Sequence, residues 1–82
     1  MMNDAELAAE LRRMYDSAPR NEAACQIHLF GIRYAAELQA CGCPLKHILE
    51  LSGVSRGYAS EVSKGMKLAR YVVLKDGGEG RG

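Results

Sequence analysis

Three thiols and two imidazoles carry the sharpest chemistry in this sequence: Cys25, Cys41, Cys43, His28 and His47. Thiolate and imidazole are the donors zinc prefers, usually in sets of four with short paired spacings. Three cysteines cannot all pair within one chain, and nothing in the composition signals an oxidising compartment. A helical reading of residues 22–40 sets Cys25 and Cys41 about 24 Å apart along the axis, too far to share an ion. Cys41, Cys43 and His47 then lack a fourth donor. The expectation is therefore free thiols behaving as small apolar side chains, with no metal and no cofactor. Catalytic chemistry is equally thin. No Ser/His/Asp or Cys/His pairing stands out, and Gly77-Gly78 lacks the strand and helix that a phosphate-cradling loop needs. No catalytic residue and no small-molecule substrate are expected.

Charge offers a second kind of chemistry. The net charge is +1, but its distribution is uneven. Residues 1–43 carry four basic and six acidic groups. Residues 44–75 carry six basic groups (Lys46, Arg56, Lys64, Lys67, Arg70, Lys75) against Glu50 and Glu61. A basic patch confined to one part of a small domain is the electrostatic footprint expected of a nucleic-acid partner. The plain alternative is a chance imbalance on a solvated surface.

Eighty-two residues, 48% apolar and 26% charged, describe one small globular domain. No apolar stretch approaches the ~20 residues of a membrane span, and the acidic, Ala-rich start is unlike a signal peptide. A cytoplasmic protein without membrane contact is expected. A core this small gains only a few kcal/mol, which favours association with a second copy or a partner.

The elements that must position these groups read as helices. Asn3 caps a first helix, with Glu6 completing a capping-box pattern; Leu7, Leu11 and Met14 form its apolar stripe. Ser17-Ala18-Pro19 ends it. Asn21 opens a longer helix to about Ala40, apolar over most of its circumference, which makes it the central strut of the fold, half of a dimer interface, or both, with Ile27, Phe30, Tyr34 and Leu38 assigned to the interface. Gly42 and Pro44 break the chain again.

Residues 44–65 are the most informative. Leu45, Ile48 and Leu49 give a short helix its inward face, and Gly53 suits the left-handed stop. Val54 plugs the corner, Ser55 caps a second helix, and Ala59 and Val62 give that helix a buried side, with Gly65 at its end. Two short helices joined by such a turn describe a helix-turn-helix.

Gly53-Val54-Ser55-Arg56, followed by Ser60-Glu61-Val62-Ser63-Lys64-Gly65, resembles the helix-turn-helix of lambda-repressor-like bacterial and phage regulators. The resemblance spans residues 45–65. It departs at Leu49, where such proteins carry a small residue, and at Ala59, where they carry a bulky aliphatic. A large-for-small exchange across two facing helices conserves the packed volume.

The resemblance implies a recognition helix over 56–64 lying in the major groove of DNA. Arg56 is then the leading base contact, through bidentate pairing to guanine. Gly57 lets the backbone approach DNA or serves as flexible capping, Tyr58 on the flank packs against the preceding helix or offers its hydroxyl to a phosphate, and Glu61 and Ser60 face outward. Ser55 and Lys64 suit phosphate contacts, to which Lys46 and Lys67 could add. Residues 66–75 fit a helix with a short extended end, and 76–82 a flexible tail. The expected architecture is all-α, a four- to five-helix domain over 1–75. The expected function is a transcriptional repressor or autoregulator, a homodimer on a palindromic operator. The alternative is a helix-turn-helix scaffold that docks a protein as a small subunit of a larger complex.

Overall fold

The structure, a computed structural model, describes residues 2–75. It is all-helical. Five α-helices, α1 (Asp4–Asp16), α2 (Ala23–Arg33), α3 (Ala35–Cys41), α4 (Leu45–Ser52) and α5 (Ala59–Leu68), are joined by short turns, with a 3-10 turn at Arg56–Tyr58 leading into α5. Among the described residues there is no strand.

The capping box that opens α1 is fully formed. The Glu6 N–H donates to the Asn3 side chain at 2.8 Å, and the Asn3 N–H donates to the Glu6 carboxylate at 3.0 Å. Each side chain thereby satisfies a backbone donor that a helix start leaves without a partner. Leu7, Leu11 and Met14 are all buried, together with Ala8.

The single helix expected over 21–40 is two helices, and the difference begins at its start. Asn21 sits in the left-handed region at φ 69°, a conformation asparagine tolerates better than most residues, so α2 opens only at Ala23. The break between α2 and α3 falls at Tyr34 (φ −112°, ψ 22°). Both hydrogen bonds across it survive: the Tyr34 N–H donates to the Phe30 carbonyl, and the Leu38 N–H to the Tyr34 carbonyl. The Tyr34 ring lies 5.3 Å from that of Phe30, and its hydroxyl donates to Glu10 of α1 at 3.2 Å. These contacts hold the bent residue between α1 and α2.

The apolar circumference of α2 has a local cause. This helix packs most extensively against α5 and also against α1, so neighbours within the chain cover two of its sides. Ile27 and Phe30 are completely buried and Leu38 nearly so, while Tyr34 is half-buried against Phe30 and Glu10. The assignment of Ile27, Phe30 and Leu38 to a dimer interface is therefore corrected: they belong to the core of one chain and have no surface left for a partner, whereas Tyr34 keeps part of its surface.

Two glycines explain why α2 and α5 approach so closely. A Cβ on Gly31 would strike the Val62 carbonyl oxygen, and one on Gly65 would strike the carbonyl oxygen of His28. Gly65 therefore does not end the second helix as its position suggested. It lies inside α5, where a missing side chain admits the neighbouring backbone, and the helix continues to Leu68. Beyond it, residues 69–71 turn and 72–74 adopt no regular structure. The tail expected at 76–82 lies outside the described residues.

Candidate nucleic-acid interface

The site is built on α4, the turn after it, and α5. Ile48, Leu49 and Val62 are buried, and Leu45 and Ala59 pack partly against the same core. Gly53 occupies the left-handed region at φ 79°, which stops α4, and Val54 is buried at the corner. The turn has an internal brace that the sequence reading passed over. Ser52, itself buried, donates its hydroxyl to the Leu49 carbonyl at 2.7 Å and accepts the Val54 N–H at 3.0 Å. That hydroxyl satisfies a buried backbone donor at the sharpest point of the chain. Its only sequence signal was a serine just before Gly53-Val54.

Ser55 caps the segment that follows, accepting the Gly57 N–H at 3.1 Å. The first turn is 3-10, however, so the recognition helix expected over 56–64 becomes a 3-10 turn at Arg56–Tyr58 and an α-helix over Ala59–Leu68. Tightening of the first turn suits a short-side-chain cap reaching back two residues. Gly57 is exposed and has an ordinary backbone; a Cβ there would meet nothing closer than the Ser55 hydroxyl at 3.4 Å.

Outward, Ser60, Lys64 and Lys67 are exposed at spacings of four and three, one line along α5, with exposed Arg56 just ahead of the helix. The Arg56 guanidinium is 3.1 Å from the Glu50 carboxylate of α4, both largely exposed. Lys46 is also exposed, one turn before Glu50 on α4. Glu61 does not share the outward line. It leans toward α2, 3.4 Å from the His28 ring and 3.9 Å from Lys64. Tyr58 is half-buried, and its ring meets Tyr15 of α1 edge-on at 6.0 Å.

Arg12 reaches the turn from α1. Its guanidinium lies 3.5 Å from where a Gly53 Cβ would project, pairs with Asp16 at 3.0 Å and stands over Tyr15. A cation held beside the helix-turn-helix corner is suited to a phosphate. Helical spacing alone cannot reveal it, because the proximity is tertiary.

The thiols and imidazoles do not converge on an ion site: among the described residues no three Cys, His, Asp or Glu side chains could hold one. Cys25 is exposed on α2, whereas Cys41 and Cys43 adjoin each other. His47 contacts Asp4 at 2.9 Å, joining α4 to the start of α1. That hydrogen bond, aided by the Ala5 N–H, holds the Asp4 carboxyl below its ordinary value of 3.8. No helix of the described residues is long and apolar enough to cross a membrane.

With this geometry in view, comparison with protein families is informative. A family model described as an HTH-like domain matches residues 3–75, and the chain belongs to that family. The match extends the helix-turn-helix assignment from residues 45–65 to nearly the whole chain, and it points to DNA binding as the class of function. Comparison with curated proteins and with solved structures returns no match.

Proposed function

We propose that residues 1–75 act as one domain that binds double-stranded DNA sequence-specifically, in the manner of lambda-repressor-like regulators. One observation carries this reading: the exposed line of Arg56, Ser60, Lys64 and Lys67 on the second helix of a helix-turn-helix. Insertion of the helix start into the major groove brings Arg56 to base edges, where its two-pronged guanidinium suits guanine. Ser55, Gly57 and Ser60 approach the same groove. Lys64 and Lys67, one and two turns further along, meet phosphates, with Lys46 and Arg12 extending the backbone grip. Tyr58 supports the segment from the side through Tyr15. Glu61 lies between His28 and Lys64, at the edge of the groove face rather than on its outward line.

A single helix with so modest a charge binds weakly, so the domain works as a homodimer on a palindromic operator, repressing transcription in the cytoplasm. The contact between copies falls to Leu68, Tyr71, Val72 and Val73. Leu68 ends α5 and the other three lie in the segment just after it; all four are exposed apolar side chains. A two-fold axis there sets the two reading helices side by side.

Selection of bound sites from random duplexes tests the reading, with the salt dependence of binding measured on the winning sequence. An enriched palindrome whose affinity falls with salt is the expected result. No enrichment together with no salt dependence overturns it and leaves the scaffold as a protein-docking module.

A further inference from the structure

The α3–α4 corner carries a feature that DNA binding does not use. Cys41 ends α3, Gly42 turns the chain in the left-handed region at φ 71°, and Cys43 returns, so the two Sγ atoms stand 2.8 Å apart. The Cys41 thiol donates to the Cys43 sulfur, and the Cys43 thiol donates to the Cys41 carbonyl oxygen at 3.8 Å. Both are partly exposed. They border an open depression of about 380 Å³, shared with Met2, Asn3, Asp4 and Ala40, which gives a small reagent access to the sulfurs.

We propose that Cys41 and Cys43 form a redox-active dithiol, a modification site that a small-molecule disulfide converts reversibly to a Cys41–Cys43 disulfide. Placement carries the inference. A disulfide demands two Cβ vectors that converge, and most neighbouring cysteines fail that requirement. Here the left-handed glycine between them brings the two sulfurs to 2.8 Å, within reach of the ~2.05 Å bond after a small shift. The ring is small and strained, and strained, accessible disulfides are the labile, easily reduced ones. The bond is therefore a reversible modification and not a structural staple.

The chemistry balances as two successive exchanges. The hydrogen bond with Cys41, and then desolvation, push the Cys43 thiol up to about 11, so the attacking thiolate is assigned to Cys41. That thiolate attacks one sulfur of the small disulfide, forming a mixed disulfide and expelling one small thiolate. Cys43 then gives up its proton to the medium, and its sulfur attacks the Cys41 sulfur, expelling the second small thiolate. The chain loses two electrons and two protons; the reagent gains two electrons and leaves as two thiols after protonation.

The test is equilibration of the full chain with defined ratios of oxidised to reduced glutathione. Acid quenching, alkylation and peptide mass mapping follow, with exposed Cys25 as an internal reference. Cys41 and Cys43 should lose alkylation together, at one midpoint ratio, in a peptide about 2 Da lighter. Restoring reduced glutathione should return both thiols. The Cys43→Ser chain should stop at the mixed disulfide on Cys41. Persistence of both thiols at high oxidant ratios overturns the proposal. So does accumulation of the mixed disulfide in the unsubstituted chain, or a Cys41 or Cys43 bond found only between chains.

Discussion

Gly31 of α2 and Gly65 of α5 lie face to face. A side-chain carbon placed on Gly31 would come within 3.0 Å of the Gly65 Cα, and one placed on Gly65 equally close to the Gly31 Cα. The contact seats α5 on α2, the central helix of the fold. It thereby fixes which side of α5 is covered and which side carries Ser60, Lys64 and Lys67.

Gly31→Ala and Gly65→Ala should each destabilise the fold by about 1–3 kcal/mol, because the obstructing atoms are backbone and cannot rotate away. The two effects should be clearly non-additive, since both substitutions force the same pair of helices apart. Urea unfolding of the two single variants and the double variant measures this. Gly57→Ala serves as the control, with a smaller effect, because its Cβ meets no backbone.

Stability should fall in acid partly through Asp4. Its carboxyl titrates below the ordinary 3.8 in the folded chain, so the unfolded chain takes up the proton first as pH falls. The Asp4–His47 contribution is therefore complete above the unfolded value and disappears as pH drops through the folded one. Asp4→Asn should flatten the acid limb of a stability profile taken from about pH 6 to about pH 2. Parallel profiles for the two proteins would show that the contact contributes nothing.

If Arg56 contacts DNA as proposed, Glu50 competes for it. Its carboxylate, 3.1 Å from the guanidinium, must be exchanged for a base or phosphate on binding. Glu50→Gln should tighten DNA binding by up to about fivefold, the scale of one exposed ion pair. The gain should shrink at high salt. Titration of one duplex against both proteins at two salt concentrations measures it, and unchanged affinity at low salt would contradict the competition.

Assembly should depend on the end of α5. Sedimentation at high micromolar concentration should give a dimer, and Tyr71→Ser with Val73→Ser should give a monomer with intact helix content. Both side chains are highly exposed in the single chain, so their loss leaves the core untouched. A monomer before substitution would remove the dimer.

What the sequence made legible was local. The Asn3–Glu6 box, Gly53 at the stop of α4, buried Val54 and the Ser55 cap all depend on residues within a few positions of one another, where spacing is itself the geometry. What it hid was tertiary. Gly65 looked like a helix terminator because glycine has that role locally, whereas its role here is set by His28 on another helix. The apolar girth of α2 suggested a central strut or a second copy without deciding between them, since periodicity counts apolar faces without saying which neighbour covers them. Arg12 at the turn, Tyr58 on Tyr15 and Glu61 beside His28 join residues distant in sequence. The break at Tyr34 had no proline or glycine to announce it.

The central claim is that Arg56 reads bases while Lys64 holds backbone, and two variants on two duplexes test it most directly. Binding of Arg56→Ala and Lys64→Ala is measured on the selected site and on a scrambled duplex across a salt series. Arg56→Ala should lose about 1–3 kcal/mol on the selected site, with little change on the scrambled one. Lys64→Ala should weaken both duplexes alike and lower the salt slope by about one per subunit. Equal losses on both duplexes for Arg56→Ala would contradict the account, making that side chain a phosphate anchor.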